Sequence, residues 1–192
     1  MNLQHVNVKL MLDAPADADL AALVPIFYAW IQGQIFEELL LDVADYRHVP
    51  AGPGVILIGH QANYSVDNID NRLGVRYNRK AELGGGNQDR LAQATRAALI
   101  ACQRLQAEPT LAAKLQFNGR DLEIFIDDRL LAPNSEPTFA KARPDLQRFA
   151  ERLFGGSQYS LTHNPDPRKL FGVSLKASDS FPLAALLKNL EN

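Results

Sequence analysis

Residues 55–79, VILIGHQANYSVDNIDNRLGVRYNR, decide the fold class of this chain. Apolar and polar residues alternate on both sides of the segment DNIDN at 67–71, whose Asp and Asn residues favour a turn. The pattern predicts a long antiparallel hairpin, in which the first strand continues to Val66 and the second begins at Leu73. A hairpin at the centre of the chain argues against a doubly wound parallel sheet.

Further strand patterns lie on either side of this hairpin. Alternation predicts a strand over 5–12, and strands are also predicted over 39–46 and at 55–60, the start of the hairpin. The last two are apolar on both faces, which is typical of strands inside a sheet that helices cover. Asn118-Gly119 predicts a type I′ turn that joins strands over 115–117 and 122–126. A last hairpin is predicted to join strands over 158–163 and 170–176.

Helical periodicity completes the element order. Apolar residues at helical spacing predict helices over 20–35, 87–105 and 136–154, the last one broken or kinked at Pro144, and a short amphipathic helix over 181–190. The segment 13–19 is predicted to be a loop. The resulting order predicts an α+β fold, with a twisted mixed or largely antiparallel sheet built from hairpins and helices mainly on one face.

The chain length fits one domain, predicted to cover residues 1–192. The three glycines at 84–86 form the most flexible point and could divide the chain into halves, 1–83 and 87–192. One domain is favoured because neither half alone would bury much apolar surface.

The composition narrows the function classes. The 192 residues carry 20 Lys and Arg against 22 Asp and Glu, so a broadly basic nucleic-acid-binding protein is disfavoured. Cys102 is the single cysteine, and residues 1–12 lack the pattern of a signal peptide. The longest apolar run, 21–31, is too short to span a bilayer. These features predict a soluble, cytoplasmic protein with no membrane insertion.

Three residues form the best candidate for acid–base chemistry. In a hairpin between 39–46 and 55–60, Asp42 would lie beside or diagonal to His60, and a carboxylate next to a histidine can fix its tautomer. Tyr64 follows on the same predicted strand, so we predict a small polar pocket that contains Asp42, His60 and Tyr64. A shift of one residue in register would separate Asp42 from His60.

Three basic residues form a candidate anion site. Alternation places Arg72, Arg76 and Lys80 on one face of a strand, where three cations could bind a phosphate or an acidic partner. The alternative is a solvated face balanced by Asp67 and Asp70. The glycines at 84–86 lack the Lys-Ser/Thr of a phosphate-binding loop, and the four histidines lack zinc-site spacing, so no cofactor and no metal are predicted.

Two functions remain open. The first is a non-enzymatic binding or assembly protein, because hairpins offer sheet edges to a protein partner or to a second copy, and the C-terminal helix could dock on its own domain or on another chain. The alternative is a small enzyme acting on a polar or anionic small molecule, with His60 as acid–base group and Arg76 as anion clamp. A nucleic-acid-binding role depends only on the basic strand and ranks third.

Overall fold

A computed structural model describes residues 1–13, 20–111 and 115–191, so the predicted loop over 13–19 lies, apart from Asp13, outside the described residues. The described strands are β1 (Val6–Met11), β2 (Leu40–Tyr46), β3 (Gly54–Gly59), β4 (Ala62–Asp67), β5 (Gly74–Arg79), β6 (Asp121–Ile126), β7 (Tyr159–His163) and β8 (Phe171–Ala177). The described α-helices are α1 (Leu23–Gln32), α2 (Asn87–Ala107), α3 (Glu136–Leu153) and α4 (Leu183–Asn189).

The eight described strands form one sheet in the order β2-β3-β4-β5-β1-β6-β8-β7. Every neighbouring pair is antiparallel. The predicted α+β class with an antiparallel sheet is therefore confirmed.

The two faces of the sheet differ. Alternate residues such as Val8, Tyr77 and Ile124 point to one face and are buried in the hydrophobic core. The helices cover this face: α2 packs on β1 and β5, α3 on β7 and β8, and α1 on β2. No described helix packs on the opposite face, which we call the open face.

The order β-α-β-β-α occurs twice among the described elements. It occurs first as β1, α1, β4, β5, α2, with the β2–β3 hairpin inserted, and again as β6, α3, β7, β8, α4. In each half the last strand pairs with the first, and the central β1–β6 pair joins the halves. Because β1 and β6 are antiparallel, the β4–β5 turn (68–73) and the β7–β8 turn (164–170) lie at opposite ends of the strands.

The predicted long hairpin over 55–79 is wrong in one respect, because it contains three strands. The first arm turns at His60 and Gln61, so β3 and β4 pair with each other, with Val55 opposite Val66. A Cβ atom at Gly59 would lie 2.5 Å from the carbonyl oxygen of Ala62, so this close turn requires glycine.

Two strand predictions also need correction. β2 is an edge strand with exposed residues, such as Leu41, rather than a strand covered on both faces. Residues 115–117 form no strand, because both edges of β6 are already paired, with β1 and with β8. Asn118-Gly119 is therefore a bend before β6 and not a hairpin turn.

The predicted break at Pro144 is also wrong, because α3 continues through this residue. Pro144 is exposed and costs one backbone donor, while Leu146 and Phe149 on the buried side anchor the helix. The C-terminal helix α4 docks on α2 and α3 of its own chain through Leu186.

Candidate ligand-binding basin

The structure separates the three residues predicted for acid–base chemistry. Asp42 pairs with Ile58, after a register irregularity between Leu40 and Asp42, and accepts a hydrogen bond from the backbone N–H of Val43. His60 lies beyond the end of β3 and is exposed. Tyr64 is buried on the helix-covered face, opposite to the face of Asp42. The predicted pocket of three side chains is not formed; the acid–base role of His60 stays a prediction.

The three predicted anion-binding residues share the open face but divide into two places. Lys80 donates a hydrogen bond to the carbonyl oxygen of Gly59 at the far end of the strand (2.5 Å). Arg76 lies about 13 Å away along β5, at about 3.3 Å per residue. Arg72, in the β4–β5 turn, reaches across the sheet to Asp121 and Glu123 of β6. Only Arg72 and Arg76 of these three therefore border the central strands.

The turns over 68–73 and 164–170 reach over the open face from opposite ends and meet there. The Nζ atom of Lys169 lies 2.7 Å from a carboxylate oxygen of Asp70. Ile69 and Leu170 form the apolar part of this roof. The roof covers part of a cavity of about 180 Å³ that lies above β5, β1 and β6. We call this cavity the basin.

Local sequence shapes the roof. Asp70 and Asn71 both have positive φ angles, 58° and 57°, a conformation that Asp and Asn tolerate better than other side chains with a Cβ atom. In the second turn, the side chain of Asn134 donates hydrogen bonds to the carbonyl oxygens of Asn164 and Asp166. The turn-forming residues at 67–71 therefore shape one side of the roof, and the hydrogen bonds of Asn134 hold the other.

The floor of the basin contains a row of charged residues in register. Arg76 of β5 pairs with Lys9 of β1, and Lys9 pairs with Glu123 of β6. Neighbouring strands are about 4.8 Å apart, so three charged side chains lie side by side. Such a row on a sheet is stable only if each charge has a partner or reaches water.

Lys9 has a buried partner. Its Nζ atom lies 2.5 Å from Asp67 Oδ1 and donates a second hydrogen bond to the carbonyl oxygen of Arg72. The side chains of Lys9 and Asp67 are only 2% and 0% exposed. The positive charge of Lys9 is therefore neutralised below the basin.

Glu123 is paired on the opposite side. Arg72 forms ion pairs with both Glu123 and Asp121. Burial nevertheless raises the pKa of Glu123 above its ordinary value, since desolvation outweighs the opposing effects of Arg72 and Lys9. The carboxylate of Glu123 is thus held toward Arg72 at the side of the basin.

Arg76 is the exception in this row. Its guanidinium lies 4.9 Å from the ring centroid of Phe125, and no carboxylate of the described residues lies within salt-bridge distance of it. Its Nε atom is buried without a hydrogen-bond partner among the described residues. Both amide atoms of neighbouring Asn7, which is fully buried, also lack a described partner. The floor thus holds a cation with unused hydrogen-bonding capacity.

The sequence did not identify Lys9, Glu123 or Phe125 as site residues. The alternation over 5–12 assigned Lys9 to the same strand face as Asn7, but it did not show that this strand is central. Only the pairing of β1 with β5 and β6 brings these residues beside Arg76.

Other site types find less support. Among the described residues, no group of three His, Cys, Asp or Glu side chains converges as a metal site would require. No helix in the described ranges combines the length and apolarity needed to cross a bilayer.

Comparison with known proteins gives no match. No protein-family model, no curated protein and no solved structure is significantly similar to this chain.

Proposed function

We propose that this protein binds a small organic monocarboxylate in the basin, with Arg76 as the residue that holds the carboxylate. The observation that carries the proposal is the uncommitted guanidinium of Arg76 in a roofed cavity. A guanidinium presents its N–H groups in a planar fork that matches the two oxygens of a carboxylate. The proposal takes the non-enzymatic class from the first sequence-based prediction, and the small anionic ligand with Arg76 as its clamp from the alternative.

The charge balance favours a monoanion over a phosphate. The basin is lined by three cations, Lys9, Arg76 and Lys169, and by two acids, Asp70 and Glu123. Lys169 pairs with Asp70, and Lys9 pairs with Asp67 below the floor. Arg76 alone remains of the three cations, so it can balance one negative charge. A second charge would lie near Glu123 without a partner.

The shape and lining favour an organic ligand. A cavity of about 180 Å³ that is partly open to solvent has room for a small organic molecule. Ile69, Phe125 and Leu170 provide apolar contacts. A carboxylate attached to a small apolar group fits both parts of the lining.

The lining supports binding rather than catalysis. Its other ionisable side chains, Lys9, Asp70, Glu123 and Lys169, are all engaged in ion pairs. The guanidinium of Arg76 does not lose its proton near neutral pH. The basin therefore offers recognition without a poised acid or base.

Titration with benzoate tests the proposal. We expect saturable binding by isothermal titration calorimetry, and at least tenfold weaker binding by the Arg76→Gln variant, whose side chain is shorter but still polar and carries no charge. Arg148→Gln is the matched control, because Arg148 is exposed on α3, on the other side of the sheet. Benzamide, which has a similar shape and no charge, should bind at least tenfold more weakly than benzoate.

The proposal is overturned if the native chain does not bind benzoate measurably, or if Arg76→Gln binds benzoate as tightly as the native chain does. Tighter binding of inorganic phosphate than of benzoate would overturn the monocarboxylate class. In either case the acid–base alternative becomes the next to test, by comparing turnover of small polar substrates by the native chain and by His60→Ala.

A second proposal is an interaction of the free edge of β2 with a protein partner or a second copy. The supporting observation is exposed apolar surface along this edge, where Leu39 and Leu41 are 58% and 52% exposed. Edge strands of this kind are prone to pair with other chains. Native mass spectrometry of the intact chain and of Leu41→Lys tests this idea, and a monomer for the native chain at micromolar concentration would contradict self-association.

The buried single cysteine, Cys102, fits a proposed cytoplasmic location.

A further inference from the structure

A second cavity, independent of the basin, lies on the helix side of the sheet. This cleft has a volume of about 520 Å³ and separates α2 from the segment 35–38 that follows α1. Phe36 and Ile100 contribute apolar walls, while acidic and basic side chains are both present. Tyr64, one of the three residues predicted for acid–base chemistry, lines this cleft.

A polar network lies at the sheet side of the cleft. The hydroxyl group of Tyr77 donates a hydrogen bond to Glu38 Oε1 (2.7 Å) and accepts one from Gln93 Nε2 (2.9 Å). The Nη1 atom of Arg79 lies 3.6 Å from the same Glu38 oxygen. Burial raises the pKa of Tyr77 to about 12, so this hydroxyl group remains a donor at neutral pH.

The network leaves two acceptors unused. Neither Glu38 Oε2 nor Gln93 Oε1 receives a hydrogen bond from any described residue, although both are shielded from solvent. A buried acceptor without a donor is unfavourable, because it has lost its water and gained no hydrogen bond in exchange. The terminal torsions of Glu and Gln are soft, so a small rotation presents either oxygen to a donor in the cleft.

These acceptors match the donors of an ammonium group. A primary ammonium has three N–H bonds and one positive charge, and Glu38 and Gln93 supply a carboxylate and an amide oxygen for two of them. Tyr64 lines the same cleft with its hydroxyl group beside Glu38, and a hydroxyl oxygen that donates to a carboxylate can still accept the third hydrogen bond. Burial and the charge of Glu38 raise the pKa of Tyr64, so it stays neutral there.

Cations lie farther along the same helix face. Arg96 and Arg104 of α2 both line the cleft, and Arg96 is three residues after Gln93, a rise of about 4.5 Å or nearly one helical turn. Arg96 donates to the carbonyl oxygen of Leu190, and Arg104 donates to that of Ile35. Each guanidinium group donates to a neutral carbonyl oxygen rather than to a carboxylate, so its charge can attract the carboxylate of a ligand.

We propose that this cleft binds a free α-amino acid with a large apolar side chain. The ammonium group contacts Glu38, Gln93 and Tyr64, the carboxylate contacts Arg96, and the apolar side chain lies against Phe36 and Ile100. The separation of one helical turn between the acidic and basic ends suits a zwitterion, whose two charged groups are joined by a single carbon atom. The cleft volume of about 520 Å³ is sufficient for such a molecule.

Three probes that differ by one charged group test the proposal by calorimetry. L-Phenylalanine carries both groups, phenethylamine lacks the carboxylate, and 3-phenylpropionate lacks the ammonium. We expect L-phenylalanine to bind at least tenfold more tightly than either analogue. All titrations are repeated with the Arg76→Gln chain, so that binding of a carboxylate in the basin does not contribute and the two proposals fail or succeed separately.

Two variants locate the binding. Glu38→Gln should weaken L-phenylalanine at least tenfold while leaving 3-phenylpropionate unchanged, and Arg96→Gln should weaken L-phenylalanine while leaving phenethylamine unchanged. Glu82→Gln, an exposed acid outside the cleft, is the matched control. If Glu38→Gln does not fold, Gln93→Leu is used in its place, because it removes the other proposed acceptor of the ammonium group. Equal affinity for the three probes, no binding at millimolar concentration, or unchanged binding in the folded variants overturns the proposal.

Discussion

Replacing Lys9 by Met tests the buried ion pair on which the basin rests. The Met side chain is close in length to that of Lys but leaves the Asp67 carboxylate without its cation. Asp67 is fully buried, its Oδ1 atom keeps the backbone N–H of Ile69 as donor, and its Oδ2 atom has no partner among the described residues. Breaking a buried pair by removing one member costs about 3–5 kcal/mol.

Urea denaturation followed by circular dichroism measures this loss. With an m-value of about 2 kcal/mol/M, a loss of about 4 kcal/mol lowers the denaturation midpoint by about 2 M. The double variant Lys9→Met, Asp67→Asn carries no buried charge at these positions, so it should recover at least half of the loss. Lys141→Met, at an exposed position on α3, should change stability by less than about 0.5 kcal/mol.

Two results would refute this reasoning. A cost below about 1 kcal/mol for Lys9→Met would mean that Asp67 is satisfied without the lysine. A double variant as unstable as Lys9→Met alone would mean that the loss does not come from an uncompensated charge on Asp67.

Three further perturbations follow from the same geometry. Because the pKa of Glu123 is raised in the folded state, its contribution to stability is present below about pH 4.5 and is lost as pH rises through the raised value. The stability of Glu123→Gln relative to the native chain should therefore increase between pH 4 and pH 7 in urea titrations. A constant difference in stability over this range would contradict the reasoning. Lys169→Ala should cost less than about 1 kcal/mol, because the pair with Asp70 is exposed, but should accelerate benzoate dissociation in stopped-flow measurements; an unchanged rate would show that the roof does not gate the basin. Gly119→Ala should lower the free energy of unfolding by at least about 2 kcal/mol, because Gly119 has a φ of 64° and an added Cβ would lie 2.4 Å from the carbonyl oxygen of Phe181. Gly84→Ala is the control and should change stability little, because no atom beyond the adjacent residues lies within 4 Å of an added Cβ there.

The elements were predictable where local pattern and tertiary environment agree. The alternation over 5–12 and the helical spacing over 87–105 correspond to β1 and α2, because in each element the apolar residues that face the core recur with the period of that element. The hairpin prediction at Asn118-Gly119 failed although Gly119 does have a positive φ angle. A local signal for a turn fixes the bend, but it does not decide whether a free strand is available for pairing.

The candidate sites were predictable only in part. Arg72 and Arg76 were identified from the alternation of one strand. Arg76 lines the basin, and Arg72 forms an ion pair with Glu123 of its lining. Their partners come from β1, β6 and two distant turns, which no local pattern connects to β5. Tyr64 was assigned to the wrong neighbours, because strand parity placed it with His60 when β3 and β4 were read as one strand. The turn at Gly59 changes that relation and directs Tyr64 to the helix side.

The sequence by itself determined the α+β class, the alternation that sets each strand's two faces, and the Asp- and Asn-rich turns that form the roof. These features depend on side-chain period and backbone preference over a few residues. The tertiary structure alone decided which strands are central, that Lys9 is buried beside Arg76, and that Asp70 and Lys169 meet across the sheet. Strand order depends on contacts between residues far apart in the chain, whose free energies are not encoded in any local pattern, and so the basin and the cleft emerge only when the chain is folded.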